Sequence, residues 1–323
     1  MIDLKTMVDL GGLPQKIHIK GDDEGNPVLL FLHGGPGVCN RHSVMTAHRD
    51  LASSFTLVAW DQRGSGGSYR GARAETLTID RLVDDAHELV LWLCKRLNKD
   101  KVFIIGGSWG SELGTWLAYR YPEHIAAYVG FGQVVNGSKN EELSYNFALK
   151  AARKAGDKKS IARLERVGPP VRGVYKGGFD GMMAQRRVMM KYGGYSQSKK
   201  KRGYFGSMVF PMLFSGEYTL QDILGLARGY RYVLTAMWEE VGATDFPRTC
   251  TSFKIPYFIF DGALDQNTPA ELVADYFSLI QAPRKELIWF EESGHNPMTD
   301  EPERFKKLLK EKLLAIAQEG ENA

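Results

Sequence analysis

Cysteine is scarce in this chain. Cys39, Cys94 and Cys250 are its only three, widely separated and without a Cys-x-x-Cys pair. An odd, dispersed set makes a poor disulfide framework, so a reducing, cytoplasmic location is expected. Histidine pairs at zinc-ligand spacing are lacking as well, and neither a metal nor any other cofactor is expected. No apolar run approaches the roughly 18 residues that a membrane span needs, and Met1 to Lys20 lacks the basic-then-apolar order of a secretion signal. Gly64-Ser65-Gly66-Gly67 is not followed by the lysine of a phosphate-binding loop, which argues against nucleotide chemistry. Repeats are missing, and the one low-complexity patch is a short lysine run.

What is present is an ordinary globular composition. The 323 residues are 43% hydrophobic and 25% charged, enough to bury a large core. The net charge of +4 is concentrated between Lys150 and Arg202, and ends in Lys199-Lys200-Lys201-Arg202. A basic stretch of this kind in an otherwise acidic chain reads as a solvated face, so neither nucleic acid nor a membrane is expected as a partner.

Short apolar runs alternate with segments of helical period. Val28–Leu32, Phe55–Trp60, Val102–Ile105, Ile125–Phe131, Tyr257–Phe260 and Leu287–Phe290 read as buried strands, and their alternation with helices predicts an α/β fold with a parallel sheet. Ile79, Leu82, Val83, Ala86, Leu89, Val90, Leu93 and Leu97 share one helical face, with Thr78 placed to cap it. Further helices are expected after Trp109, Pro269 and Pro302. From about Val134 to Cys250 the strands vanish. Residues 134–252 are therefore read as a mainly helical cap inserted into a core domain of residues 1–133 and 253–323. Its methionines and aromatics (among them Met182, Met189, Tyr195, Tyr204, Phe205 and Met208) suit either the cap's own core or a pliable apolar pocket.

The chemistry is concentrated in Gly106-Gly107-Ser108-Trp109-Gly110, a G-x-S-x-G run between a predicted strand and helix. Side chains at Gly106 and Gly110 would collide with neighbouring backbone in so cramped a turn, and the turn lifts the hydroxyl out of the sheet. Ser108 is thus the candidate nucleophile. It needs a base, itself oriented by a carboxylate. Of the seven histidines, only His295 follows a late strand. The carboxylate should close the preceding strand, where Asp261 and Asp265 both stand; Asp265, beyond Gly262, is favoured, and Asp261 is left to tie down the strand end. Thr268-Pro269-Ala270-Glu271 reads as a helix cap. Oxyanion donors are expected from the Trp109 N–H and from the glycine turn His33-Gly34-Gly35-Pro36-Gly37, with Gly35 as the donor.

His33-Gly34-Gly35-Pro36-Gly37, Asp61-Gln62-Arg63-Gly64-Ser65-Gly66-Gly67-Ser68 and Gly106-Gly107-Ser108-Trp109-Gly110-Ser111 together resemble the proline iminopeptidase family of α/β-hydrolases. The resemblance implies a mostly parallel eight-stranded sheet with a helical cap after the sixth strand. It places the triad on Ser108, Asp265 and His295, and the oxyanion donors on Gly35 and Trp109. That family holds a substrate's α-amino group with cap glutamates. The nearest counterpart here is Met237-Trp238-Glu239-Glu240, about fifteen residues before the next core strand; Glu239 is thus either an amine ligand or an ordinary exposed helix carboxylate. The function expected is hydrolysis, through an acyl-enzyme, of small esters or N-terminal peptide and amide bonds. Proline iminopeptidase activity proper is one alternative, and a ligand-binding protein on a hydrolase scaffold is another. The oligomeric state is left open.

Overall fold

The computed structural model describes residues 1–196 and 212–321. Eight strands form one sheet: β1 (Ile2–Leu10), β2 (Leu13–Gly21), β3 (Val28–Leu32), β4 (Thr56–Trp60), β5 (Val102–Gly107), β6 (Ile125–Phe131), β7 (Tyr257–Gly262) and β8 (Lys285–Phe290), in the spatial order β1-β2-β4-β3-β5-β6-β7-β8. β1 pairs antiparallel with β2, and β2 antiparallel with β4; every later pairing is parallel. The six strands expected from apolar runs are β3 to β8. The first hairpin, β1 and β2, is not among them, because its outer strand alternates half-buried and exposed residues and makes no apolar run.

Central strands are buried along their whole length. Val28–Leu32, Thr56–Trp60 and Val102–Gly107 are covered on both faces, as parallel sheets require. One face packs on α1 (Ile79–Leu97) and α2 (Trp109–Arg120). The other packs on Phe305, Leu309 and Leu313 of the C-terminal helix, Pro302–Glu321. Burying each such side chain contributes about 1.5–3 kcal/mol. Helix α1 begins as its sequence predicts, with the Thr78 side chain accepting from the Arg81 N–H at 3.2 Å, and it ends on Asn98 in the left-handed region at φ 53°.

Between β6 and β7 the chain builds α3 (Gly137–Lys154), α4 (Lys158–Val167), α5 (Gly178–Lys191) and α6 (Leu220–Ala243). These helices share a small core of their own, in which Met182, Val188 and Met189 meet Tyr145, Ala148, Leu164 and Leu234. Two of the methionines are therefore packing residues. Tyr204, Phe205, Met208 and the lysine run at 199–202 lie outside the described residues. The basic stretch is not uniformly solvated: Arg153 is exposed, whereas Arg186 is half-buried against the buried Glu141, with N–H···O contacts of 2.9 and 2.5 Å. After β7 come α7 (Ala270–Leu279) and, after β8, α8 (Pro302–Glu321).

Candidate active site

The parallel strands end along one edge, and Gly35, Ser108, Asp265 and His295 follow the ends of β3, β5, β7 and β8. Ser108 follows β5 with φ 57° and ψ −127°, a strained conformation for a residue with a side chain. Two glycines make the turn possible. A Cβ on Gly106 would lie 2.1 Å from the Gly110 carbonyl oxygen, and one on Gly110 would lie 2.0 Å from that of Leu32. The Ser108 N–H donates to the Phe131 carbonyl at 3.0 Å, which fixes the elbow to the end of β6.

His295 reaches the same place from the far side. A Cβ on Gly132, one residue beyond β6, would stand 2.8 Å from His295 Cε1. Asp265 and His295 form a buried pair, with Nδ1 and Oδ2 2.7 Å apart. The Asp265 carboxylate also accepts the Asn267 N–H at 2.7 Å, the Thr268 N–H at 3.1 Å and the Thr268 hydroxyl at 2.7 Å. Thr268 does not cap α7, contrary to its sequence context. Its hydroxyl is drawn to the buried charge, 3.1 Å from His295 Nδ1 as well, and the helix starts at Ala270 without a side-chain cap.

Asp261, the other carboxylate weighed from sequence, holds backbone. It accepts the N–H groups of Gly132 at 2.8 Å and of Gln133 at 3.4 Å. Burial, reinforced by the charge of Asp265, holds its carboxyl well above the usual range.

The glycine turn after β3 borders Ser108, since a Cβ on Gly34 would lie 3.1 Å from Ser108 Cβ. Gly35 has φ +118°, and Trp109 occupies the first position of α2, where an N–H has no intrahelical acceptor. The loop Asp61–Ser68 joins these two elements. Gln62 donates through Nε2 to the His33 carbonyl at 3.1 Å and accepts from Trp109 Nε1 through Oε1 at 2.9 Å. One side chain thus ties the start of the glycine turn that carries Gly35 to the indole of Trp109. His33 accepts the Gln62 N–H on Nε2 at 3.1 Å, and burial pushes its pKa down to about 4, so the ring is neutral. Spacing along the chain gave no sign of the bridging role of Gln62.

The inserted helices dock on both loops that carry the His295–Asp265 pair. The Gln266 N–H donates to the Gly194 carbonyl at 2.9 Å, the His295 N–H to the Tyr195 carbonyl at 2.6 Å, and Asn140 Nδ2 to the Asn267 carbonyl at 2.8 Å. The Tyr195 ring lies 4.9 Å from the His295 ring. Glu239 is not brought to this place. It is exposed on α6, in a recess with Asn136, Arg172 and Asp245 that contains none of the other candidate residues. Its neighbour Glu240 accepts the Ile79 N–H at the start of α1 at 2.7 Å. Among the described residues no cluster of three or more potential metal ligands occurs, and no helix is long and apolar enough to cross a membrane.

Residues 27–167 match a family model of the α/β hydrolase fold. The Bacillus subtilis (strain 168) protein named "Probable aminopeptidase YbaC" is 30% identical over 311 residues, 95% of each chain. The proline iminopeptidase of Clostridioides difficile (strain 630) is 24% identical over 305 residues, covering 90% of this chain and 91% of the relative. Among solved structures, the proline iminopeptidase of Mycobacterium smegmatis superposes with a TM-score of 0.67 at 18% identity, over 98% of this chain and all of that one.

Proposed function

The chain belongs to the α/β-hydrolase family, among its proline iminopeptidase-like members, and is a hydrolase; from that premise we propose that it works by a Ser108–His295–Asp265 triad. The observation that carries this reading is that the hydrogen-bonded His295–Asp265 pair and a strained Ser108 both lie against the end of β6, at Gly132 and Phe131. His295 would take the Ser108 proton as Oγ attacks a substrate carbonyl, and Asp265 would stabilise the imidazolium. The N–H groups of Gly35 and Trp109 would receive the oxyanion, each worth about 10²–10³ in rate. His295 would then protonate the leaving group, and water would hydrolyse the acyl-enzyme by the same route. Residues 134–252 serve in this reading as a cap over a core of residues 1–133 and 253–323.

Small carboxylic esters are the substrates favoured. An aminopeptidase needs a free carboxylate for the substrate's ammonium, and the buried acids of the cap are already engaged: Glu141 by Arg186, Glu217 by Lys5 and His18, Asp222 by Arg41. The names of the relatives support the second reading, cleavage of N-terminal peptide bonds. Kinetics on p-nitrophenyl acetate and on alanyl and prolyl naphthylamides test both. Esters should be the better substrates, and Ser108→Ala should reduce turnover of all of them to background with the thermal midpoint unchanged. Undiminished hydrolysis by that variant would refute the triad, and a strong preference for the free-amine substrates would restore the aminopeptidase.

A further inference from the structure

The loop between Asp265 and α7 brings one more side chain onto His295, at the nitrogen that must do the chemistry. Asn267 Nδ2 lies 3.1 Å from His295 Nε2. This asparagine is held on both sides, its N–H donating to Asp265 Oδ1 at 2.7 Å and its carbonyl accepting from Asn140 of α3 at 2.8 Å. With Nδ1 facing the Asp265 carboxylate, the proton of the neutral imidazole sits on Nδ1, and Nε2 carries a lone pair. An amide N–H is the partner such a nitrogen accepts. It fills the place that the Ser108 hydroxyl must take for proton transfer, and among the described residues Ser108 Oγ has no hydrogen-bond partner of its own.

We propose that Asn267 is a positioning residue for the base: it holds His295 as the Nδ1–H tautomer with Nε2 occupied in the empty enzyme, and yields Nε2 to Ser108 when a carbonyl substrate enters. The proposal rests on the triad reading. Through Asn140 the same loop is tied to the cap, so the release of Nε2 is coupled to what happens beneath α3.

The sign of the effect follows from the geometry. An N–H aimed at Nε2 stabilises the neutral ring and opposes the imidazolium, whose own Nε2–H would meet that donor head-on. The other groups around the ring are Asp261 and Asp265 at the end of β7, Thr268 before α7, Tyr195 with Arg186 behind it from the cap, Ser108 from the elbow, and Asp300, which accepts the Gly294 N–H at 3.1 Å. All of these remain when Asn267 alone is changed.

The test compares wild type, Asn267→Ala and Asn267→Asp, the last keeping the size of the side chain should alanine fail to fold. Two readouts are taken on each: the pH dependence of Ser108 labelling by a fluorophosphonate, and the titration of the His295 ring followed by NMR. Asn267→Ala should move the acid limb to higher pH by roughly 0.5–1 unit, the effect of one lost neutral hydrogen bond. Asn267→Asp, which places a carboxylate against the imidazolium, should move it further, by roughly 1–3 units. An unmoved limb with a lower rate at every pH would make Asn267 merely structural and overturn the proposal, as would a shift to lower pH. If Ser108 takes no label in any of the proteins while the NMR order holds, the serine-hydrolase reading fails and the tie between Asn267 and His295 stands. If labelling is normal and neither readout shows the order, only the proposal fails.

Discussion

The strand ends that carry the candidate residues and the solvent-side turns between the inserted helices are built under different constraints. At the strand ends the backbone is packed so closely that side chains are excluded: Gly106, Gly110 and Gly262 each face a carbonyl oxygen within about 2 Å of where a Cβ would be, at 2.1, 2.0 and 1.9 Å. In the inserted helices, Gly156 and Gly168 close turns at φ +63° and +74° with nothing within 4 Å. The first set is demanded by contact and these two by local conformation alone; where the inserted helices meet the core or one another they exclude side chains as well, a Cβ on Gly225 or Gly137 lying 2.2 or 2.1 Å from the Gly66 or Val241 carbonyl oxygen. Contact dictates the residues of the elbow and the His33–Gly37 turn, which is why they read as strings in the sequence, whereas the inserted segment was legible only as a helical insertion and not helix by helix.

Exchanging glycine for alanine in each region sharpens that contrast most. Gly110→Ala should cost at least about 3 kcal/mol or abolish folding, because backbone cannot move aside without moving β3. Gly156→Ala should cost only about 1–2 kcal/mol, the penalty of a left-handed residue. Denaturant titration of both variants checks this. Equal losses would show that the two turns are not packed differently.

Next in size is the pair of acids at the end of β7. Asp265→Asn should lower kcat by about 10⁴, since the imidazole loses the partner that sets its tautomer. Asp261→Asn should cost far less, because its raised pKa favours the protonated form that an amide imitates, and an amide oxygen still accepts the Gly132 N–H. Steady-state rates settle the order, and the reverse order would transfer the triad role to Asp261.

A pH-dependent effect is expected on stability. Glu112 on α2 is fully buried, accepts from the Thr244 hydroxyl at 2.6 Å and has no partner for Oε2. Burial pushes its pKa up from 4.5 to about 8. A carboxyl raised in the folded state lends its full stability below the unfolded value, and loses it as pH climbs towards the folded one. Wild type should therefore weaken between about pH 4.5 and 8 by up to about 1.4 kcal/mol per unit relative to Glu112→Gln, which stays neutral. Thermal midpoints of both proteins across that window test the slope. Parallel curves would mean that Glu112 is ionised in the fold.

Least of all should come from Glu239→Gln. The carboxylate is exposed and apart from the other candidate residues, so ester and aminoacyl-amide turnover should change together by less than about threefold. Loss confined to the free-amine substrate would return Glu239 to the substrate site.

Periodicity exposed β3 to β7 and α1 because those elements bury continuous or helically spaced apolar residues; β8, expected as a buried strand, is an edge strand of which only Phe290 is buried. It gave no account of β1, whose half-exposed face leaves no apolar run, and none of the bridge made by Gln62, which joins residues 29 and 47 positions away. Thr268 looked like a cap because its neighbours spell one, yet the buried charge of Asp265 outweighs the open amides at the start of α7. Arg186 looked like part of a solvated basic face until the fold set Glu141 beside it. Local spacing reveals what a segment does with its neighbours, and polar partners drawn from distant segments emerge only in the assembled fold.

The central claim is that Ser108 is the nucleophile at a site assembled from three strand ends. Mass-spectrometric mapping of a fluorophosphonate adduct tests it most directly, on the intact protein and on His295→Ala. The account predicts a single adduct on Ser108 that forms at least about 10³-fold more slowly without His295. An adduct on another residue, or labelling of Ser108 at the same rate in both proteins, would contradict it.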